Sequence, residues 1–281
     1  MQYLLYNPLS GKENQAKVDA ECYSVVANMP TELVDLTKIE NFRDFLEGLD
    51  LYDDIVIFGG DGSLNRIANE LADTNIHNDI YYYPSGTGND FARDVGKTDV
   101  LEPFLITDFI KNLPTVTVNG KQSKFINGVG FGIDGYCCEV GDQLKSTGKQ
   151  PNYTSIAIKG LLFHFKPINA TVTVDGKKMT FKKVWIAPTM YGRYYGGGMM
   201  PTPYQNRNAS DKKVSLMLFH GSNKLGTLMI FPSIFKGKHV KHEKNISIFE
   251  GKNITVSFDR PTPLQIDGET VLNVMEYSVE V

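Results

Sequence analysis

The apolar positions of this chain change rhythm once along its length. Up to about residue 113, short apolar runs alternate with segments of helical period. Residues 3–6 read as a buried strand ending at Asn7-Pro8, and residues 13–27 carry Ala16, Val18, Ala20, Val25 and Val26 as the apolar side of an amphipathic helix. Strands follow at 55–58 and 80–83, with helices at 63–72, 90–95 and 103–112. This alternation predicts a parallel sheet with helices on its faces. Beyond Pro114 the rhythm becomes that of hairpins: residues 115–118 turn at Asn119-Gly120, 171–174 at Asp175-Gly176, and 246–249 near Gly251. Helical segments interrupt this part at 136–146, 153–163 and 224–236. The pattern predicts an α/β domain over residues 1–113 and a mainly antiparallel β domain over 114–281, with the last strand able to pack back on the first domain.

The candidate chemistry sits where the predicted strands of the first part end. Gly59-Gly60-Asp61-Gly62-Ser63 follows the strand at 55–58 directly and opens the next helix. Its glycines let the backbone turn tightly and bring N–H groups close to an anion, and the helix N-terminus adds positive potential. Read alone, such a cluster is a tight strand-to-helix turn. The design is repeated after the next strand in Pro84-Ser85-Gly86-Thr87-Gly88-Asn89-Asp90-Phe91-Ala92-Arg93, and Asn7-Pro8-Leu9-Ser10-Gly11-Lys12 supplies a third loop with a hydroxyl and a cation. Adjacent strand ends of a parallel sheet open on one crevice, so the three loops together predict a nucleotide site. The Walker A spacing is absent from the sequence, and Asp61 inside the turn suits a metal, a ribose or a polar network better than direct phosphate contact.

These motifs, with Ile266-Asp267-Gly268-Glu269 far downstream, resemble the diacylglycerol kinase catalytic-domain family, in particular its small bacterial lipid kinases; the resemblance spans nearly the whole chain in order and spacing. It implies an N-terminal nucleotide-binding α/β domain akin to those of NAD kinases and phosphofructokinases, a C-terminal β-sandwich domain, and ATP- and Mg²⁺-dependent phosphorylation of a lipid hydroxyl in the cleft between them. Diacylglycerol is the implied acceptor, ahead of another lipid alcohol. By the same resemblance Asn7, Ser10, Gly11, Lys12, Thr37, Gly59, Gly60, Asp61, Gly62, Ser63, Thr87, Asn89, Asp90 and Arg93 surround ATP, and Lys159 lies near the lipid headgroup. Asp211 stands for the family's structural metal ligand. Transfer to an alcohol also needs a carboxylate to take its proton. Asp267 and Glu269 both match the family's general base, and the sequence does not divide the role between them. For Asp90 and Arg93 the local alternative is helix capping and an ion pair.

Two departures favour a competing reading, a pseudokinase that binds nucleotide or lipid without turnover. Arg66 stands where the family usually carries Glu, and Lys212 replaces a Gly beside Asp211. A metal held by one carboxylate between two lysines would be weakly bound. Gly130-Phe131-Gly132-Ile133-Asp134-Gly135 satisfies a dinucleotide spacing but lies in the β-rich part, and Gly196-Gly197-Gly198 reads as a flexible loop.

Composition narrows the partners. The chain has 281 residues, 22% of them charged, and a formal net charge of -3, which excludes a protein built to grip the nucleic-acid backbone. Three cysteines, Cys22, Cys137 and Cys138, in so long a chain point to a reducing, cytoplasmic setting. The expected partners are nucleotide and a lipid at the inner membrane face, with a second copy of the chain admissible. Within residues 236–244, four lysines and two histidines follow an apolar stretch and form a candidate membrane-facing segment.

Overall fold

The computed structural model describes residues 1–72 and 74–281, which divide into two compact units, Met1–Leu113 and Pro114–Val281. In the first unit β1 (Gln2–Tyr6) leads to α1 (Gln15–Val26), β2 (Thr31–Asp35), α2 (Phe42–Glu47), β3 (Asp54–Gly59), α3 (Asp61–Glu70), β4 (Ile80–Pro84), α4 (Asp90–Asp94), β5 (Phe104–Leu105) and α5 (Thr107–Ile110). The sheet runs β2-β1-β3-β4-β5, parallel except for the short last strand. Ile55, Val56, Ile57 and Phe58 on central β3 are all fully buried, as a strand covered on both faces requires. Each such side chain removed from water contributes about 2 kcal/mol.

Sequence pattern and structure part company on α1. Ala16 and Ala20 are buried and Tyr23 packs on Phe58 at 5.8 Å, whereas Val18, Val25 and Val26 point outward. Small residues one turn apart let the helix approach the strands, and the β-branched positions fall on the opposite side. The helix expected over 103–112 is instead the strand β5 followed by the single turn α5. Strand β2 has an exposed centre at Glu32 and Leu33 and so lacks the apolar alternation that would have marked it.

The second unit begins with the hairpin β6 (Thr115–Val118) and β7 (Lys121–Lys124), then β8 (Gly128–Gly132), α6 (Ile133–Ser146) and α7 (Tyr153–Lys159), which a π turn extends over Gly160–His164. The hairpin β9 (Ile168–Val174) and β10 (Lys177–Val184), β11 (Ile186–Met190), β12 (Val214–Phe219), α8 (Lys224–Ile230), β13 (Ile246–Gly251), β14 (Asn253–Ile266) and β15 (Glu269–Glu280) complete it. The strands run β13-β12-β11-β8-β14-β15-β6-β7, with β9 joining β14 and carrying β10. Asn119-Gly120 and Asp175-Gly176 form the expected two-residue turns, with φ of 49° and 76°, and 45° and 83°.

No hairpin forms at Gly251. Among the described residues β13 pairs with β12 alone, and β14 leaves to pair with β9, β8 and β15. The Asp175 carboxylate redirects the chain by accepting the N–H groups of Lys252 and Asn253 at 3.0 and 2.8 Å. Between Ser257 and Leu264 the register of β14 shifts twice. Pro261 and Pro263 fall in this stretch and cannot donate to a ladder, so β14 uses β9 along its first half and β8 along its last three residues. The final strand β15 pairs with β14 and β6, inside the second unit.

The core of this unit is aromatic, with Phe131 stacked on Phe258 at 3.8 Å and Tyr277 edge-on to Phe131 at 5.7 Å. The glycines at 130, 132 and 135 serve packing. A Cβ on Gly135 would lie 2.0 Å from the Pro263 carbonyl, which leaves no room for a dinucleotide over this helix start.

Candidate active site

In the first unit, β1, β3 and β4 end side by side and their loops touch. Asn7 Nδ2 donates to Ser63 Oγ at 2.9 Å, and Ser10 Oγ lies 3.3 Å from the same hydroxyl. Gly60 and Gly86 meet backbone to backbone: a Cβ on Gly86 would lie 2.5 Å from Gly60 Cα, and one on Gly59 would lie 2.7 Å from Ser63 Oγ. Gly11 has a φ of 79° and no space for a side chain, because Ser85 O would be 2.5 Å from its Cβ. Gly62 differs, since a Cβ there meets nothing within 4 Å and the residue is exposed at the start of α3. The first turn of a ten-residue helix therefore presents N–H groups and a positive dipole end beside an open glycine. Such a place accepts an anion.

The acidic residues of these loops brace them. Asp61 accepts the N–H groups of Asp90 and Phe91, each at 2.9 Å, and so ties the loop after β3 to the loop after β4. Asn89, at a φ of 50°, closes its own loop through Gly86 and Pro84. Arg93 pairs with Asp90 one turn earlier at 3.7 Å. Thr87 and Lys12 are exposed. Thr37 is exposed too, and its hydroxyl donates to Asp35 at 2.7 Å.

Two braces escaped the sequence reading. Ser85 Oγ donates to Asp19 on α1 at 2.6 Å, a contact between residues 66 positions apart that no local pattern announces. Arg66 bonds Glu70 through Nε at 2.6 Å, and reaches the carbonyls of Leu36 and Ile39 at 3.1 and 2.7 Å. Its charge binds α3 to the loop that carries Thr37. The i, i+4 spacing of Arg66 and Glu70 was the available signal.

In the second unit, β14 and β15 are joined at Asp267 and Gly268, with φ of 45° and 97°. The Asp267 carboxylate accepts the backbone N–H groups of Ile126, Asn127 and Gly128 at 2.5, 2.9 and 2.9 Å. Charge-assisted bonds of this kind hold a chain segment firmly. Glu269, the first residue of β15, is exposed. Behind the turn, Gln265 Oε1 accepts the Gly268 N–H at 2.7 Å. Deeper still lies Asp134, fully enclosed at the start of α6. Burial raises its carboxyl to about 6, against the opposing pull of the Gly135 N–H and the Tyr195 hydroxyl.

A cavity of about 350 Å³ opens between α6 and α7, with Val140, Leu144 and Ile156 as its apolar wall and Lys159 and His164 among its polar lining. Asp211 is half exposed and paired with Lys213 at 2.8 Å, and that ammonium holds its carboxyl below the usual range. Among the described residues no group of three or more His, Cys, Asp or Glu is placed to hold a metal ion. The 236–244 run is a folded connection rather than a free basic arm. His239 is fully buried and bonds the Pro201 carbonyl at 2.8 Å. No helix among the described residues is long and apolar enough to cross a membrane.

An α/β unit with glycine turns at its strand ends, followed by a β unit with an acidic turn, is the arrangement of a phosphotransferase family. Residues 2–114 match the diacylglycerol kinase catalytic domain, and residues 127–279 match the YegS C-terminal NAD kinase beta sandwich-like domain. The chain belongs to the diacylglycerol kinase family of ATP-using lipid kinases. It is 26% identical to a diacylglycerol kinase of Mycobacterium tuberculosis over 90% of this chain and 83% of that one. It is 28% identical to a diacylglycerol kinase of Staphylococcus carnosus over 95% and 87%. A solved structure described as a putative diacylglycerol kinase from Bacillus anthracis shares the fold, with a TM-score of 0.67 at 19% identity over 99% of this chain and 91% of that one.

Proposed function

We propose that this protein transfers the γ-phosphoryl group of ATP to diacylglycerol, giving phosphatidic acid, with Glu269 as general base. The observation that carries the assignment is the division of labour in the β14–β15 turn. Asp267 is fixed on the backbone of residues 126–128, and Glu269 beside it stays exposed on a rigid strand end. In the reaction the lipid oxygen forms a bond to the γ-phosphorus, the bond from that phosphorus to the ADP oxygen breaks, and the hydroxyl proton passes to Glu269. The loops of the first unit bind and orient the polyphosphate, which in this chemistry supplies most of the catalysis. Bound with the nucleotide, Mg²⁺ would offset phosphate charge.

The apolar cavity beside Lys159 suits an acyl or glycerol portion of the acceptor, with the ammonium near the polar end. A bilayer with anionic headgroups is the proposed partner. Phe163, Leu225 and Met229 are exposed on the π turn and α8, and Lys224, whose Nζ bonds the Leu162 carbonyl at 2.6 Å, joins the two elements beside them. Apolar side chains edged by ammonium groups match an interfacial surface. The pseudokinase alternative loses its main motive, because Arg66 is engaged by the loop and by Glu70.

Incubation with γ-labelled ATP, Mg²⁺ and a panel of lipid alcohols in mixed micelles tests the activity. Labelled phosphatidic acid is expected. Nucleotide binding without transfer to any lipid would overturn the reading.

A further inference from the structure

Three buried polar groups of the second unit form a line that ends at the proposed base. Asp134 Oδ2 accepts the hydroxyl of buried Tyr195 at 3.1 Å. On the other side lies Gly130, where a Cβ would sit 1.5 Å from Asp134 Oδ2 and 2.6 Å from Gln265 Nε2; the carboxylate and the amide crowd the same face of one glycine. Asp134 Oδ1 and Gln265 Nε2 are both buried and complete no hydrogen bond of ordinary length among the described residues. The other end of the Gln265 amide, Oε1, holds the Gly268 N–H at 2.7 Å. A side-chain amide has a donor end and an acceptor end, so whatever fixes one end fixes the other.

We propose that Asp134 is a positioning residue for the Glu269 turn: as a carboxylate it keeps Gln265 with Nε2 toward itself and Oε1 toward Gly268, and on gaining a proton it reverses that preference. A protonated Asp134 is itself a donor and favours Oε1 of Gln265. The amide then presents Nε2 to the Gly268 N–H, donor against donor, and the turn loses its inner anchor. The inference rests on Glu269 being the base.

The groups that face Asp134 make it the titrating member of the cluster. From its own helix come Cys137 and Cys138, from the loop after β11 Tyr195, and from β15 Tyr277; burial raises all four, which keeps them neutral. Asp142, Lys145 and Glu269 act on Cys138 at the outer edge of the cluster. Burial leaves the Asp134 carboxyl at about 6, so the change of state falls in mild acid. Tyr195 also closes a β bridge with Met199 around Gly196, Gly197 and Gly198, all at positive φ, so the same carboxylate anchors the base of that glycine loop.

The test has two readouts. In the lipid kinase assay the wild-type kcat should fall about tenfold between pH 7 and pH 5 as one group is protonated, with the KM for ATP unchanged. Asp134→Asn, which carries no charge at any pH, should lack that fall. An Asp134→Asn enzyme with wild-type kcat and the same acid limb overturns the proposal. Amide hydrogen exchange, run without ATP or lipid, follows the Gly268 N–H directly. Its protection should drop about tenfold in the wild type on moving from pH 7.5 to 5.5 after correction for intrinsic exchange, and should stay constant over that range in Asp134→Asn. Equal protection in all these states overturns the coupling, and the wild-type comparison stands even if the variant does not fold. If no lipid is phosphorylated while the exchange difference is present, the kinase reading fails and the coupling holds.

Discussion

Asp61 in the first unit and Asp267 in the second do the same thing with their carboxylates, and the two regions differ in what is left over. Asp61 accepts the N–H groups of Asp90 and Phe91 and Asp267 those of Ile126, Asn127 and Gly128, so each joins separate segments of its unit. Around Asp61 the remaining motif positions are glycines in backbone contact, and the free space lies over Gly62. Around Asp267 the remaining position is a second acid, Glu269, on the exposed side of the turn. One region is organised to present backbone donors to an anion, the other to present a single carboxylate. Two acids that look alike in a motif can thus be one bonded to backbone and one left exposed.

The largest effect should separate those roles. Glu269→Gln is expected to lower kcat by about 10³-fold, in the range of general base catalysis, with thermal melting and ATP affinity unchanged. Asp267→Ala should instead destabilise the fold by about 3 kcal/mol, through three orphaned N–H groups, which a denaturant titration would read. The reverse pattern would assign the base to Asp267.

A second contrast concerns the glycines. Gly86→Ala forces a Cβ to 2.5 Å from Gly60 Cα and should cost about 2–3 kcal/mol along with nucleotide affinity. Gly62→Ala should leave stability within about 0.5 kcal/mol and still weaken ATP binding. Calorimetry with a non-hydrolysable analogue distinguishes them, and unaltered affinity in Gly62→Ala would remove the anion from that position.

The pH dependence of stability tests the buried acid beside the second region. Burial raises the folded Asp134 carboxyl to about 6, above the ordinary carboxylate value, so its contribution is present below the unfolded value and is lost as pH rises through the folded one. Relative to the wild type, Asp134→Asn should therefore gain about 3 kcal/mol of unfolding free energy between pH 4 and pH 7. A constant difference across that range would place the carboxyl outside the core. The smallest effect is expected at Asp211, where Asp211→Asn should leave both the melting temperature and the Mg²⁺ dependence of activity unchanged.

Much of this was legible in the chain. The change of rhythm near Pro114, the two Asn-Gly and Asp-Gly hairpins and the order of the glycine motifs follow from local rules of φ and periodicity. What escaped reading depends on contacts distant in sequence. The valines of α1 look like a core stripe until Ala16 and Ala20 are seen against β1 and β3, and Gly251 looks like a hairpin until Asp175 captures the chain beyond it. The different settings of Asp267 and Glu269 were closed to sequence because the Asp267 carboxylate is held by N–H groups about 140 positions upstream. Asp134 was passed over because its glycine neighbours resemble a cofactor fingerprint, although they exist to let a carboxylate and an amide share one face of β8.

Arg66 makes its position dependent on its neighbours. An acid placed there in one step would set two carboxylates an i, i+4 distance apart with Glu70 and strip the Leu36 and Ile39 carbonyls of their donor. A charge reversal at 66 is therefore tolerable only together with a change at Glu70, so the two positions form one unit of substitution in this chain.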